Sequence, residues 1–315
     1  MPVPALLEAL RIPVIGAPML IVSTPQLVIA QVKSGIVGSF PALNARPAGQ
    51  LDEWLAQITE ETRDCPAPFA VNLIVHKTNT RLEQDLAICE KYRVPMVITS
   101  LGANVDVNAA VHGWSGVVFH DVINNAFARK AIEKGADGLI AVCAGAGGHA
   151  GGQSPFALMQ EIRRWFEGPV ALSGAIACGR SILAAQALGA DFAYVGSPWI
   201  ATPEANAVPE YKDAIVAAGA SDIVYSNLFT GVHGNYLRSS ILAAGLDPDN
   251  LPEGNKSTMN FGSGGNMDAK AWRDVWGAGQ GIGAIDAVSS VAERVERFER
   301  EYRQAIGSLA DVTGT

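Results

Sequence analysis

Short, almost uninterrupted apolar runs alternate with amphipathic stretches through the first two thirds of the chain. The runs are Val14–Met19, Ile36–Ala42, Phe69–Ile74, Met96–Leu101, Val117–Val122, Gly138–Ala144, Val170–Ile176 and Phe192–Ile200. Each is rich in Val, Ile and Ala without a polar alternation, the pattern of strands buried on both faces of a parallel sheet. Between them the spacing predicts helices over Pro25–Ser34, Gln50–Arg63, Arg81–Tyr92, Val107–Gly113, Asn124–Lys134, Pro155–Phe166 and Gly179–Leu188. Ser34-Gly35, Lys134-Gly135 and Leu188-Gly189 place glycine where a helix ends in a left-handed turn. Ser154-Pro155 offers an N-cap followed by proline at the first helical position. Strict strand–helix alternation allows a (β/α)8 barrel or an open doubly wound sheet. Eight units between residues 14 and 200, with no linker breaking the repeat, favour the α/β barrel of the TIM type.

The repeat is lost after Ile200. Residues 203–287 hold two helical patterns, Glu210–Ala218 and Leu237–Ala244, and a Gly/Asn/Pro-rich stretch, Asp247–Gly265. They read as a helical and loop insertion after strand eight that covers the barrel mouth, the barrel itself being residues 1–202 and 288–315. A last helix, Val288–Ile306, carries Val288, Val291, Val295, Phe298 and Tyr302 as one apolar stripe. That stripe docks on the barrel or, alternatively, on a second copy of the chain.

Composition narrows the function classes. The 315 residues are 49% hydrophobic and 17% charged, which demands a large core, and one filled barrel with its ring of helices provides it. A net charge of −8 with no basic face argues against nucleic-acid partners. The densest basic cluster, Arg294–Arg303, alternates with glutamates as a solvated helix face does. Four cysteines lack CxxC spacing and read as reduced thiols. The start, MPVPALLEAL, is not a secretory signal, and no apolar run is long enough to span a bilayer. A cytoplasmic enzyme without membrane contact is expected.

Barrel sites lie at strand C-termini. The residues there are Ala17-Pro18-Met19, Asn72, Ser100, His120-Asp121, Gly145–Gly152, Ser173-Gly174-Ala175 and Gly196-Ser197. Small residues at the seventh and eighth strand ends would expose backbone N–H groups beside helix starts, a cradle for phosphate. They would equally fit tight corners with no ligand. The segment Gly145-Ala146-Gly147-Gly148-His149-Ala150-Gly151-Gly152 lets backbone run close to a flat ligand. It carries one imidazole, His149, suited to proton transfer or to a structural bond. The same segment spells GxGxxA, but the next helix starts afresh at Ser154-Pro155, which argues against a dinucleotide fingerprint. His76, His112, His120 and His233 show no metal-binding spacing, and no GxSxG elbow is present.

These residues together resemble the nitronate monooxygenase family, formerly 2-nitropropane dioxygenases, relatives of flavin-dependent enoyl reductases and NAD(P)H:quinone reductases. The matching elements are Ile15–Met19, Phe69–Leu73, Gly147–Gly151, Ser173–Ile176, Ala187–Asp191, Val195–Ser197 and Trp276–Gln280. The resemblance implies FMN as cofactor, with Ala17, Pro18 and Met19 along the flavin and Asn72 hydrogen-bonded to it. It also implies Gly147 and Gly148 beside the ring, and Ser173, Gly174, Ala175, Gly196 and Ser197 around the phosphate. Ser100 and His120 are taken as further cofactor-facing groups, and His149 as the catalytic base or an anchor for an anionic substrate. Many relatives carry Lys after the strand-five histidine, where this chain has Asp121. Either His120 then supplies the positive charge or Asp121 points elsewhere.

The resemblance implies oxidation of an alkyl nitronate by O2 to a carbonyl compound and nitrite. The alternatives are an NAD(P)H-dependent reductase of quinones or enoyl thioesters, and a barrel that binds a phosphorylated ligand without turnover. The expected partners are a small-molecule substrate, O2 or NAD(P)H as redox partner, and a second copy of the chain in a homodimer.

Overall fold

A computed structural model describes residues 3–47, 49–254 and 275–313, with side chains described through residue 310. The repeating part runs β1 (Val14–Gly16), α1 (Pro25–Lys33), β2 (Gly38–Pro41), α2 (Gln50–Glu61), β3 (Phe69–Ile74) and α3 (Leu82–Lys91). It continues with β4 (Met96–Ser100), α4 (Val105–Gly113), β5 (Val117–Val122), α5 (Asn125–Glu133), β6 (Gly138–Val142) and a two-residue strand β7 (Gly148–His149). Then come α6 (Pro155–Arg163), β8 (Val170–Ser173), α7 (Gly179–Ala187), β9 (Phe192–Val195) and the single turn α8 (Ser197–Ile200).

Eight strands pair in the order β1-β9-β8-β6-β5-β4-β3-β2, each neighbouring pair in parallel. A bridge between Ile15 and Val37, with Gly16 N–H donating to Val37 O at 2.8 Å, joins β1 to the β2 side. The chain is thus an α/β barrel of the TIM type. Side chains alternate strictly between its two layers. Ile15, Ala70, Ile98, Phe119, Ile140, Ala171 and Phe192 fill the interior, where Phe119 and Phe192 meet edge to face at 6.5 Å. Val14, Val71, Val97, Val118, Leu139 and Leu172 face the helices. Leu7 and its neighbours pack against the interior cluster from the N-terminal segment.

Most strands are shorter than the apolar runs that predicted them, because the C-terminal residues of the runs peel away into loops. Gly174 (φ +146°) and Ala175 (φ +55°) turn the chain out after β8, and Ser197-Pro198 open α8 where the run through Ile200 predicts strand. Helix α4 starts earlier than expected because the Asn104 side chain accepts from Asp106 N at 2.9 Å and caps it.

Beyond α8 lie α9 (Pro209–Ala217), β10 (Ile223–Ser226), β11 (Gly234–Leu237), α10 (Arg238–Ala243) and the final α11 (Val291–Thr313). The hairpin β10–β11 was not expected from the sequence. Its second strand pairs antiparallel with β7, giving a separate sheet of order β10-β11-β7. Residues 255–265 of the Gly/Asn/Pro-rich stretch lie outside the described residues. Val291, Val295 and Phe298 of α11 are buried on the barrel side, whereas Val288 precedes the helix and is exposed. The solvated reading of the basic cluster fails at Arg294. It is buried, and its Nη2 donates to Ala287 O at 2.8 Å and to Ala201 O at 3.3 Å, tying α11 to the end of β9's loop. Arg297 and Arg303 do sit on the outer face, paired with Asp286, Glu301 and Glu299. Among the described residues no helix is long and apolar enough to cross a membrane.

Candidate active site

The strand C-termini open into a cavity of about 490 Å³, within the range of small-molecule sites. Ala17, Pro18, Met19, Asn72, Ser100, Gly147, Gly148, His149, Ser173, Gly174, Ala175, Gly196 and Ser197 all line it. Of the residues expected to bind the cofactor or act in catalysis, His120 alone does not.

The floor is set by strand parity. Asn72, Ser100 and Asp121 fall at inward positions of β3, β4 and β5, above the apolar interior. Asn72 Nδ2 donates to Ile98 O at 3.1 Å and to Ser100 Oγ at 2.6 Å, and Ser100 Oγ donates to Asp121 Oδ2 at 2.8 Å. His120, one position off, faces the helix layer. Its Nδ1 is 2.6 Å from Thr99 Oγ1, and burial pushes its pKa down to about 4. Neither expectation for this corner holds: His120 supplies no charge to the mouth, and Asp121 points into it.

The β8 and β9 corners form one wall. The amides of Gly174 and Gly196 donate to no carbonyl among the described residues. A Cβ on Gly174 would lie 2.9 Å from Ala144 O, so the corner admits only glycine at this backbone path. The Ala175 amide is not open in the same way, since it donates to Gly145 O at 3.2 Å. Ser197 Oγ accepts from Gly279 N at 2.9 Å, which leaves its hydroxyl proton for a ligand.

The opposite wall comes from the glycine-rich segment and the second sheet. A Cβ on Gly147 would sit 2.8 Å from Gly279 N, so backbone packs directly on backbone there. Asn235 Nδ2 holds Ala146 O at 2.7 Å, and Gln280 N donates to Gly145 O at 2.9 Å. His149, in β7, pairs with Gly234 of β11 and places Nε2 3.0 Å from Thr230 Oγ1. Thr230 Oγ1 donates to Val232 O at 2.9 Å, so the assignment that satisfies both contacts has His149 Nε2–H as donor. Burial pushes the His149 pKa down to about 4, and the ring is neutral at neutral pH.

Sequence reasoning did not single out Arg46, Tyr194, Tyr211 or Thr230, all of which line the cavity. Tyr194 was within reach, because it shares the inward parity of Phe192 and Gly196. Arg46, the one cationic side chain among the described lining residues, sits in the loop after β2, where no periodicity fixes direction.

The chain matches the family described as nitronate monooxygenase over residues 78–300. It is similar to a nitronate monooxygenase of Paraburkholderia phytofirmans, 28% identical over 97% of this chain and 96% of that protein. It is 32% identical to a protein of Mycobacterium tuberculosis carried as a candidate monooxygenase, over 60% of this chain and 56% of the length of that relative. Among solved structures, FabK from Thermotoga maritima superposes with a TM-score of 0.79 at 25% identity, covering 98% of this chain and 97% of FabK. A nitroalkane oxidase from Streptomyces ansochromogenes superposes with a TM-score of 0.81 at 22% identity, covering 97% and 99%, and shares the fold.

The residues present fit the flavin that such a family implies. Two backbone amides without acceptors meet the need of a phosphate, and a buried carboxyl oxygen, Asp121 Oδ1, has no partner in the floor.

Proposed function

Because the chain belongs to the nitronate monooxygenase family, we propose that it holds FMN in the barrel mouth and oxidises alkyl nitronates with O2 to a carbonyl compound and nitrite. A flavin there supplies the electron transfer between nitronate and O2. The protein's own share is to bind, orient and manage charge. The amides of Gly174 and Gly196 and the Ser197 hydroxyl are suited to the phosphate. The loop Ala17–Met19 is fixed by Ala17 N–H on Val195 O at 2.7 Å and by Asn44 Nδ2 on Met19 O at 2.9 Å, which gives a rigid edge for the ring.

The observation that carries the reading is His149, neutral and partly buried, facing the same cavity as the amide-lined corners. A ring of such low proton affinity is a weak base for removing a proton from carbon. A nitronate arrives already ionised and needs no base. Its negative charge beside the imidazole raises the proton affinity of His149, so proton and anion enter together and neither charge is left unpaired. Arg46 supplies the standing positive charge of the cavity.

The test is a visible spectrum of the purified protein, followed by anaerobic addition of ethyl nitronate and, separately, NADH or NADPH. Bleaching of a yellow protein by nitronate alone is the expected outcome. Rapid bleaching by a pyridine nucleotide replaces the reading with a reductase of quinones or enoyl thioesters. A colourless protein that takes up no FMN removes the flavin.

A further inference from the structure

We propose that Asp121 is a proton-bearing hydrogen-bond donor in the cavity floor, presenting Oδ1–H to an acceptor atom of the bound flavin. The proposal rests on the flavin reading above and extends it to a residue that sequence reasoning treated only as a substitution.

The proton can be placed by counting donors. Ser100 has one hydroxyl proton. Its oxygen accepts from Asn72 Nδ2 at 2.6 Å, and the second Nδ2 proton of Asn72 goes to Ile98 O at 3.1 Å. The Ser100 proton is therefore committed to Asp121 Oδ2, at 2.8 Å. Oδ2 is an acceptor, so a proton on this carboxyl sits on Oδ1. Oδ1 is buried, and no described residue donates to it or accepts from it. Asp121 forms no ion pair among the described residues.

The surroundings favour the neutral form. From β4 the carboxyl meets the hydroxyl of Ser100, which is itself held by the amide of Asn72 on β3, and neither group is charged. On β6 its partner across the ladder is the apolar Ile140, and on β9 lies Tyr194, whose hydroxyl burial and then Asp121 push up. The other titratable groups lining the cavity are Arg46, His149 and Tyr211, on other walls. A carboxylate here would be a buried charge held by one hydrogen bond. Burial raises the Asp121 pKa to about 7 against the opposing pull of Ser100. A ligand over the floor removes more water and pushes in the same direction. The ring of an oxidised flavin offers carbonyl oxygens and unprotonated nitrogens at its edge, which are acceptors for such a group.

Two measurements test this. Infrared titration of the protein without cofactor should show the carbonyl stretch of a protonated carboxyl near neutral pH, lost as the pH rises and absent from Asp121→Asn. FMN affinity, read by quenching of FMN fluorescence, should weaken for the wild type relative to Asp121→Asn by about tenfold between about pH 7 and about pH 9. The comparison cancels titration of the FMN phosphate, which both proteins share, and the amide keeps a donor at the same place. A wild-type protein with no carboxyl band, or an affinity ratio that does not move with pH, overturns the proposal while leaving the flavin in place. Failure of both proteins to bind FMN overturns the flavin reading and the donor's target with it.

Discussion

In the floor of the cavity, Asn72, Ser100 and Asp121 stand on three adjacent strands, and their hydrogen bonds run across the ladder that holds the barrel together. In the opposite wall, His149 meets Thr230 across 81 residues of chain, in a sheet to which its own strand contributes two residues. The floor can be displaced only by opening the parallel sheet that carries it. The wall can move as a small unit, since few ladder bonds fix β7 and β11 to each other. The polar groups proposed to hold the cofactor are thus on the barrel, and the imidazole proposed to meet substrate is on the part able to adapt.

The sharpest way to break this division is His149→Ala. It removes the imidazole from the wall and leaves the floor and the amide corners intact. Losing one hydrogen bond to a charged group costs about 1.5–3 kcal/mol, so nitronate turnover should fall by about 10–10²-fold, with the flavin spectrum and FMN affinity retained. Loss of FMN together with turnover would make His149 a cofactor ligand, and the two walls would then share one role.

A smaller effect is expected from Thr230→Val, which keeps shape and removes Oγ1. His149 Nε2–H then loses its acceptor, and Val232 loses both of its bonds to the same oxygen. Leaving a buried donor unmatched costs about 1–3 kcal/mol, equivalent to roughly a tenfold loss or more in a rate that depends on the ring's placement. Steady-state kinetics with nitronate, beside a melting curve, separate misplacement of His149 from general loosening. An unchanged rate would show that Thr230 does not orient the ring.

The same contrast explains what could be read from the sequence. Strand–helix alternation exposed the barrel because every unit repeats one physical demand, burial on both faces of a short strand. It also brought out Ala17, Asn72, Gly174 and Gly196, which lie just where the strands end. It misplaced His120 because a strand end does not say which of two neighbours turns inward. Phe119 and Asp121 share one parity, and the aromatic residue at 119 belongs in the interior. Thr230 and the hairpin around it could not be read, since Ile223–Ser226 and Gly234–Leu237 are short and their partner, Gly148–His149, looks like loop. Arg294 looked solvated because its neighbours are, yet the helix turns this one guanidinium toward two carbonyls.

His120 provides the finest test, because it should matter for stability and not for the cofactor. Its folded pKa, about 4, lies below the 6.5 of an exposed histidine. A lowered value means that the unfolded chain binds the proton more readily. The stability this neutral ring contributes is therefore present above pH 6.5 and lost as the pH falls toward about 4. His149 carries the same lowered value, so the two rings together steepen the acid limb of the melting profile. In His120→Leu the hydroxyl of Thr99 loses its partner, and the melting temperature at neutral pH should drop by the few degrees that about 1 kcal/mol represents. The further fall between pH 6.5 and 4 should shrink, because one of the two titrating rings is gone. FMN affinity and nitronate turnover should stay at wild-type levels throughout. A weakened FMN complex in His120→Leu would return this ring to the cavity and undo the parity argument that put Asp121 there in its place.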